Sequence, residues 1–164
     1  MKHLYVLRHA KSGHDHPDLS DFDRPLKKRG CSDARIIGSV LAEAGDNPDL
    51  IVSSPARRAL DTARIVAGQT DYDPKEVQTD RRLYLADVDD VMTVLRELPD
   101  AADRVLLVGH NPGLFELALF LGADDLDGLP TAACYQIAFA VEHWNAIEPR
   151  HARWRGWDRP KNHR

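Results

Sequence analysis

Cysteine is scarce. Cys31 and Cys134 are the only two in 164 residues, too few for a disulfide framework or a cysteine-rich metal site. An excess of positive charge is also missing. Lysine and arginine number 22 against 26 aspartates and glutamates, a formal net charge of −4. That balance argues against a nucleic-acid partner and requires any anion site to be a local cluster of cations. No apolar run approaches the length of a membrane span, and residues 1–9 are too short, and too charged at their end, for a signal peptide. The expectation is a cytoplasmic protein with no membrane partner. Repeats, low-complexity segments and linkers are lacking too. At 43% hydrophobic and 29% charged, the 164 residues suit one globular domain, 1–164, able to bury a proper core.

What is present begins with Lys2-His3-Leu4-Tyr5-Val6-Leu7, an apolar run stopping abruptly at Arg8-His9. Such a run reads as a buried strand. A polar stretch, 11–25, then reads as a long loop of the kind that often carries function. The spacing of Ala34, Ile37, Leu41 and Ala44 predicts a helix over 26–44, stopped by Gly45-Asp46-Asn47-Pro48. A second strand is expected at 49–53, with Ser54-Pro55 as N-cap and first residue of a helix over 56–68. Residues 77–79 suggest a minor strand, 83–85 are ambiguous, and 88–98 carry a helical stripe ending at Pro99. Arg104–Gly109 is the clearest strand. Asn111-Pro112 resembles another cap before an apolar helix at 114–121, and 124–130 reads as a loop. A strand at 131–141, a closing hairpin near 152–157 and a polar, frayed tail at 158–164 complete the chain. Strands alternating with helices imply an α/β fold: three α/β/α layers around a mainly parallel sheet.

Three of these strands end in polar residues: Arg8-His9, then Ser53-Ser54 with Arg57-Arg58 just beyond, then Gly109-His110-Asn111. If the strands are parallel, those ends share one edge of the sheet, where ligands of open α/β sheets bind. Histidines and arginines beside helix N-termini, whose free N–H groups favour anions, point to a compact dianion such as phosphate.

The same residues resemble a known family. Leu7-Arg8-His9-Ala10-Lys11-Ser12 is similar to the Arg-His signature of the histidine phosphatase superfamily, the phosphoglycerate-mutase-like fold. Ser53-Ser54-Pro55-Ala56-Arg57-Arg58-Ala59-Leu60-Asp61-Thr62-Ala63 resembles its second motif and Val108-Gly109-His110-Asn111-Pro112 its third. Asp21-Phe22-Asp23-Arg24-Pro25-Leu26 with Arg29-Gly30 resembles the compact branch typified by the phosphohistidine phosphatase SixA, which lacks large cap insertions. The resemblance spans nearly the whole chain and keeps the motif order. It implies that His9 is a nucleophile that becomes phosphorylated, with Arg8, Arg58 and His110 holding the phosphoryl oxygens, and that no metal or cofactor takes part. Arg58 is taken over Arg57 because the family's arginine precedes an Ala-x-x-Thr-Ala run, here residues 59–63. Arg57 is then a solvated or rim residue. Nearby arginines would keep His9 unprotonated, and His110 would add a donor, protonated or not.

Several residues carry two readings. Ser12 and Lys11 either support the phosphate loop or are ordinary loop residues. Arg24 either lines the pocket as a substrate-binding residue or makes a structural ion pair with a loop aspartate, and Asp21 shares that ambiguity. Many relatives in the family place a glutamate acid after the second motif. Leu83-Tyr84-Leu85-Ala86-Asp87 has none, leaving Asp87 as a substitute or as a plain helix cap. His14 and His16 read as surface residues rather than metal ligands. Trp144, Trp154 and Trp157 read as packing, and His3 as a core or edge residue. The function expected is a phosphatase acting through a phosphohistidine intermediate, on phosphohistidine carried by a protein partner. The rivals are a phosphatase for small phosphate esters, a mutase, and a phospho-binding module without catalysis.

Overall fold

In the computed structural model, which describes residues 1–164, the apolar runs pair into one six-stranded sheet. The strands are β1 (Lys2–Arg8), β2 (Leu50–Ser53), β3 (Gln78–Thr79), β4 (Arg104–Gly109), β5 (Cys134–Phe139) and β6 (Ala152–Asp158). They lie in the order β3-β2-β4-β1-β5-β6. β3, β2, β4 and β1 are parallel, whereas β5 and β6 are added antiparallel. Four helices cover the faces: α1 (Lys28–Glu43), α2 (Arg57–Gln69), α3 (Val88–Arg96) and α4 (Gly113–Phe120). The expected three layers and mainly parallel sheet are thus present, with no inserted cap domain. No helix is long and apolar enough to cross a membrane.

The central strands read as continuous apolar runs because both faces of the sheet are covered. Successive side chains point to opposite sides. Leu4, Val6, Val52, Val105 and Leu107 pack under α3 and α4 with Leu95, Leu114 and Leu117. Tyr5, Leu7, Ile51, Leu106 and Val108 pack under α1 and α2 with Ile37, Ala63 and Val66. Each fully buried aliphatic side chain contributes roughly 1.5–3 kcal/mol, so these strands are held firmly at the depth where their ends emerge. Gly45, with φ of +75°, ends α1 where a side chain would be strained.

Four expectations shift. Ser54-Pro55 does not open α2, which starts at Arg57 behind Ala56; the Ser54 hydroxyl lies 2.8 Å from His110 Nε2 instead. Likewise α4 starts at Gly113 with Pro112 as its N-cap residue, while Asn111 Oδ1 accepts from the Phe115 N–H at 3.3 Å. β5 is shorter than 131–141: the Ala132 N–H bonds the carbonyls of Arg8 and His9, drawing that segment onto the strand end. The tail is not frayed. Pro160–His163 forms a 3₁₀ turn, Asp158 accepts from Asn162 and His163, and Arg164 pairs with the buried Asp33 of α1 at 3.1 Å. A buried carboxylate needs a cation partner, and Arg164 supplies one beside Arg29 of the same helix, which lies 3.7 Å from Asp33.

Candidate active site

The parallel strands β1, β4 and β2 deliver their ends to one edge. The His9 N–H donates to the Gly109 carbonyl at 3.0 Å, and the Ser54 N–H to the Val108 carbonyl at 2.9 Å, so backbone hydrogen bonds set the spacing between the three motifs. His9 and His110 face each other with ring centroids 5.3 Å apart, and both are buried. The start of α4 presses against the 86–87 backbone, where any side chain at Gly113 would collide with the Ala86 carbonyl. This close approach brings Tyr84 over the site, edge-on to His110 at 5.5 Å.

His9 has a defined tautomer. Its Nδ1 lies 2.8 Å from the Ala10 carbonyl oxygen, which only accepts, so Nδ1 carries the proton. On the other edge Arg58 Nε donates to His9 Nε2 at 3.4 Å, so Nε2 keeps its lone pair. Burial, foremost, pushes the His9 pKa down to about 4, with the charges of Arg58, Arg8 and Arg24 adding to it and the Ala10 carbonyl opposing. The ring is therefore neutral near pH 7, as expected, though desolvation outweighs the arginines. His110 is pushed down to about 3, by burial first and then by His9 and Arg58. In the free site it is neutral.

Arg58, 3% exposed, is the hub. Its Nη1 and Nη2 grip the carbonyl (2.6 Å) and carboxylate (3.1 Å) of Asp21. That carboxylate also accepts from the Tyr84 hydroxyl at 2.6 Å and from Arg24 Nε at 3.1 Å. The Tyr84 bond, ahead of the two arginines, lowers the Asp21 pKa to about 2. Arg24 Nη1 reaches Ser12 Oγ at 2.9 Å. Thr62, one turn into α2, donates to the Arg58 carbonyl at 2.7 Å and accepts from the Ala10 N–H at 3.0 Å. It thus ties the helix bearing Arg58 to the residue after His9.

Two polar atoms are left over. Arg8 Nη1 donates to the Leu129 carbonyl at 3.0 Å, but its Nε is buried without a partner, and so is His110 Nδ1. Burial and the nearby Arg58 charge also lower the Arg8 pKa. An anion would satisfy both atoms and relieve that repulsion, since buried polar groups are otherwise costly to leave unpaired.

Of the residues predicted from sequence, Arg8, His9, Arg58 and His110 come together. Ser12 and Arg24 sit one shell out, joined to the cluster through Asp21. Arg24 makes the ion pair of its structural reading, with Asp21 at 3.1 Å. Arg57 is exposed and pairs with Asp61 at 3.7 Å, a solvated helix residue. Asp87 is engaged in a capping box: its Oδ1 accepts from the Asp90 N–H at 2.8 Å. No group of three or more His, Cys, Asp or Glu is placed to hold a metal ion. Sequence reasoning missed Ser54, Thr62 and Tyr84. The first two stood in the second motif and were readable only as cap and filler. Tyr84 lay in the ambiguous segment, and nothing local marks it.

The model of the histidine phosphatase superfamily (branch 1) matches residues 4–91. The chain belongs to that superfamily, a class of enzymes. An uncharacterised chloroplastic protein of Arabidopsis thaliana is 33% identical over 129 residues, which cover 73% of this chain but only 59% of that protein's length. A candidate phosphohistidine phosphatase SixA of Agrobacterium tumefaciens superposes with a TM-score of 0.80 at 26% identity, covering 95% of this chain and 96% of the other. A protein histidine phosphatase SixA complexed with tungstate superposes at 0.83 with 22% identity and 99% coverage of both chains, a likeness of fold.

Proposed function

We propose that the chain is a phosphatase that moves a phosphoryl group first to Nε2 of His9 and then to water, and that phosphohistidine on a protein is its best substrate. The observation that carries this reading is the state of His9: a neutral buried ring with its proton pinned on Nδ1 and its Nε2 lone pair beside Arg58. A neutral imidazole is a competent nucleophile near neutral pH. As Nε2 bonds to phosphorus, the bond to the leaving group breaks and charge spreads over three equatorial oxygens. Arg58 Nε, Arg8 Nε and His110 Nδ1 are the donors with no stronger partner in the free site, and they are assigned to those oxygens. Fixed donors of this kind stabilise a transition state without reorganising. Ser12 and Arg24 are assigned to the rim on the loop side. Water then attacks the phosphohistidine, phosphate departs, and His9 returns neutral. Arginine supplies the positive charge, so the scheme calls on no metal or cofactor.

Two carboxylates, Asp87 and Asp21, are the candidates for a proton donor, and both are committed. Asp87 caps α3, and Asp21, held at a pKa of about 2, is ionised. The leaving group must then depart with little help. The parent of an alkoxide resembles water, with a pKa of about 16, whereas a histidine ring has a conjugate-acid pKa of about 6.5 and can leave neutral once solvent protonates it. Measuring kcat/KM across phosphohistidine, aryl phosphates and alkyl phosphates tests this. A steep fall with leaving-group pKa is expected. An alkyl phosphate outperforming phosphohistidine would favour a small-ester phosphatase, and no turnover at all would favour a binding module.

A further inference from the structure

Ser54 directly follows β2 and is wholly buried. Its carbonyl accepts from the Ser53 hydroxyl at 2.8 Å. Its own hydroxyl meets two groups: the Ala56 N–H at 3.2 Å and His110 Nε2 at 2.8 Å. An amide N–H only donates, so it occupies a lone pair of Oγ. The hydroxyl proton remains, and His110 Nε2 is the acceptor placed for it.

We propose that Ser54 is a positioning residue: its hydroxyl donates to His110 Nε2, holds the ring in the Nδ1–H tautomer, and so presents a neutral N–H donor to the phosphoryl group. The phosphoryl half of this statement rests on the phosphatase reading; the tautomer does not. In the reverse arrangement, Nε2–H would donate to Ser54. A hydroxyl proton with no acceptor would then be buried, and the Nδ1 lone pair would confront anionic oxygens. In the proposed arrangement the unpartnered Nδ1–H is completed by substrate.

The surroundings agree. His9, Arg58 and Arg8 face His110 and disfavour a charge on it, with Asp21 the one group opposing them and the uncharged Tyr84 ring packed edge-on. His110 therefore adds direction to the site, while Arg8 and Arg58 add charge. The backbone of Ser54 is fixed to β4 through Val108, the strand that also carries His110. Ser54 and His110 are thus held on neighbouring strand ends, a rigid base for a hydrogen bond whose only freedom is the hydroxyl rotor.

The test is nitrogen NMR on the full chain labelled with ¹⁵N-histidine, His110→Asn serving to assign the ring. In the wild type, Nδ1 of His110 is expected to be pyrrole-type and Nε2 pyridine-type. Ser54→Ala should shift the ring toward Nε2–H. It should weaken orthovanadate binding and lower kcat/KM on the order of tenfold, the usual scale for losing a hydrogen bond to a charged group. In a His110→Ala background Ser54→Ala should cost vanadate affinity nothing more, because a residue acting through another is not additive with it. A merely structural role would give additive losses. A wild-type ring protonated on Nε2, an unchanged tautomer in Ser54→Ala, or additive losses would each overturn the proposal. If the tautomer is as stated but no phosphate compound is turned over, the phosphatase reading falls and the hold of Ser54 on His110 stands.

Discussion

Replacing Arg58 by alanine separates chemistry from folding. Arg58 Nε lies 3.4 Å from the atom proposed to attack phosphorus, so the variant removes one fixed donor from the transition state. Removing such a donor costs about 2.7–4 kcal/mol, a loss of roughly 10²–10³ in kcat. The cost to the fold is read separately. The Asp21 side chain is 49% exposed but that of Arg58 only 4%, so truncation also loses its packing and its bond to the Asp21 carbonyl. Asp21 is not orphaned, because Tyr84 and Arg24 still bind its carboxylate. The assay is kcat/KM on an aryl phosphate beside urea unfolding of the same preparation. Arg58→Lys keeps the charge but not the planar fork, and should recover only part of the loss. A decline of less than about tenfold in Arg58→Ala, under 1.4 kcal/mol, would refute the role. A decline matched by an equal loss of stability would refute it as well.

Three further outcomes are expected. Both buried histidines have pKa values depressed from 6.5, His9 to about 4 and His110 to about 3, so between those values the unfolded chain binds more protons than the folded one. Stability should be full above pH 6.5 and fall steadily as the pH drops through that window, measured by urea unfolding from pH 7 to 4. A flat profile, or either ring titrating near 6.5 by NMR, would contradict the burial argument. Activity should survive excess EDTA, since the positive charge comes from arginines; complete loss restored by a divalent ion would sink the proposed chemistry. Asp87→Asn should leave the ratio of aryl to alkyl turnover unchanged and cost at most about 1 kcal/mol of stability, because asparagine also caps helices well. Selective loss of alkyl substrates would make Asp87 the acid.

What the sequence disclosed follows from the range of the forces involved. Apolar runs stopping at Arg8-His9 and at Gly109-His110 are local patterns, and parallel pairing then brings their ends together without further information. The choice of Arg58 over Arg57 came from the family motif, and burial agrees: Arg58 is 3% exposed, whereas Arg57 faces solvent and Asp61. Helix starts were misplaced by a residue or two because cap signals compete with tertiary partners. Ser54 looks like an N-cap, but His110, 56 residues away, takes its hydroxyl. The Asp21 cluster was only half visible for the same reason. Its partners Arg58 and Tyr84 lie 37 and 63 residues along the chain, so no local pattern could say whether it was a pocket wall or an ion pair. The tail misled in turn, because its anchor is a buried carboxylate on a distant helix.

The central claim, attack by His9 through Nε2, is tested most directly by a single-turnover reaction with labelled phosphoryl substrate, quenched rapidly and digested. The adduct should be base-stable and acid-labile, as a P–N bond is, and NMR of the labelled peptide should place phosphorus on Nε2 of His9, because Nδ1 is occupied by the Ala10 carbonyl. Label on Nδ1, on His110, on Cys31 or on any serine would contradict the account.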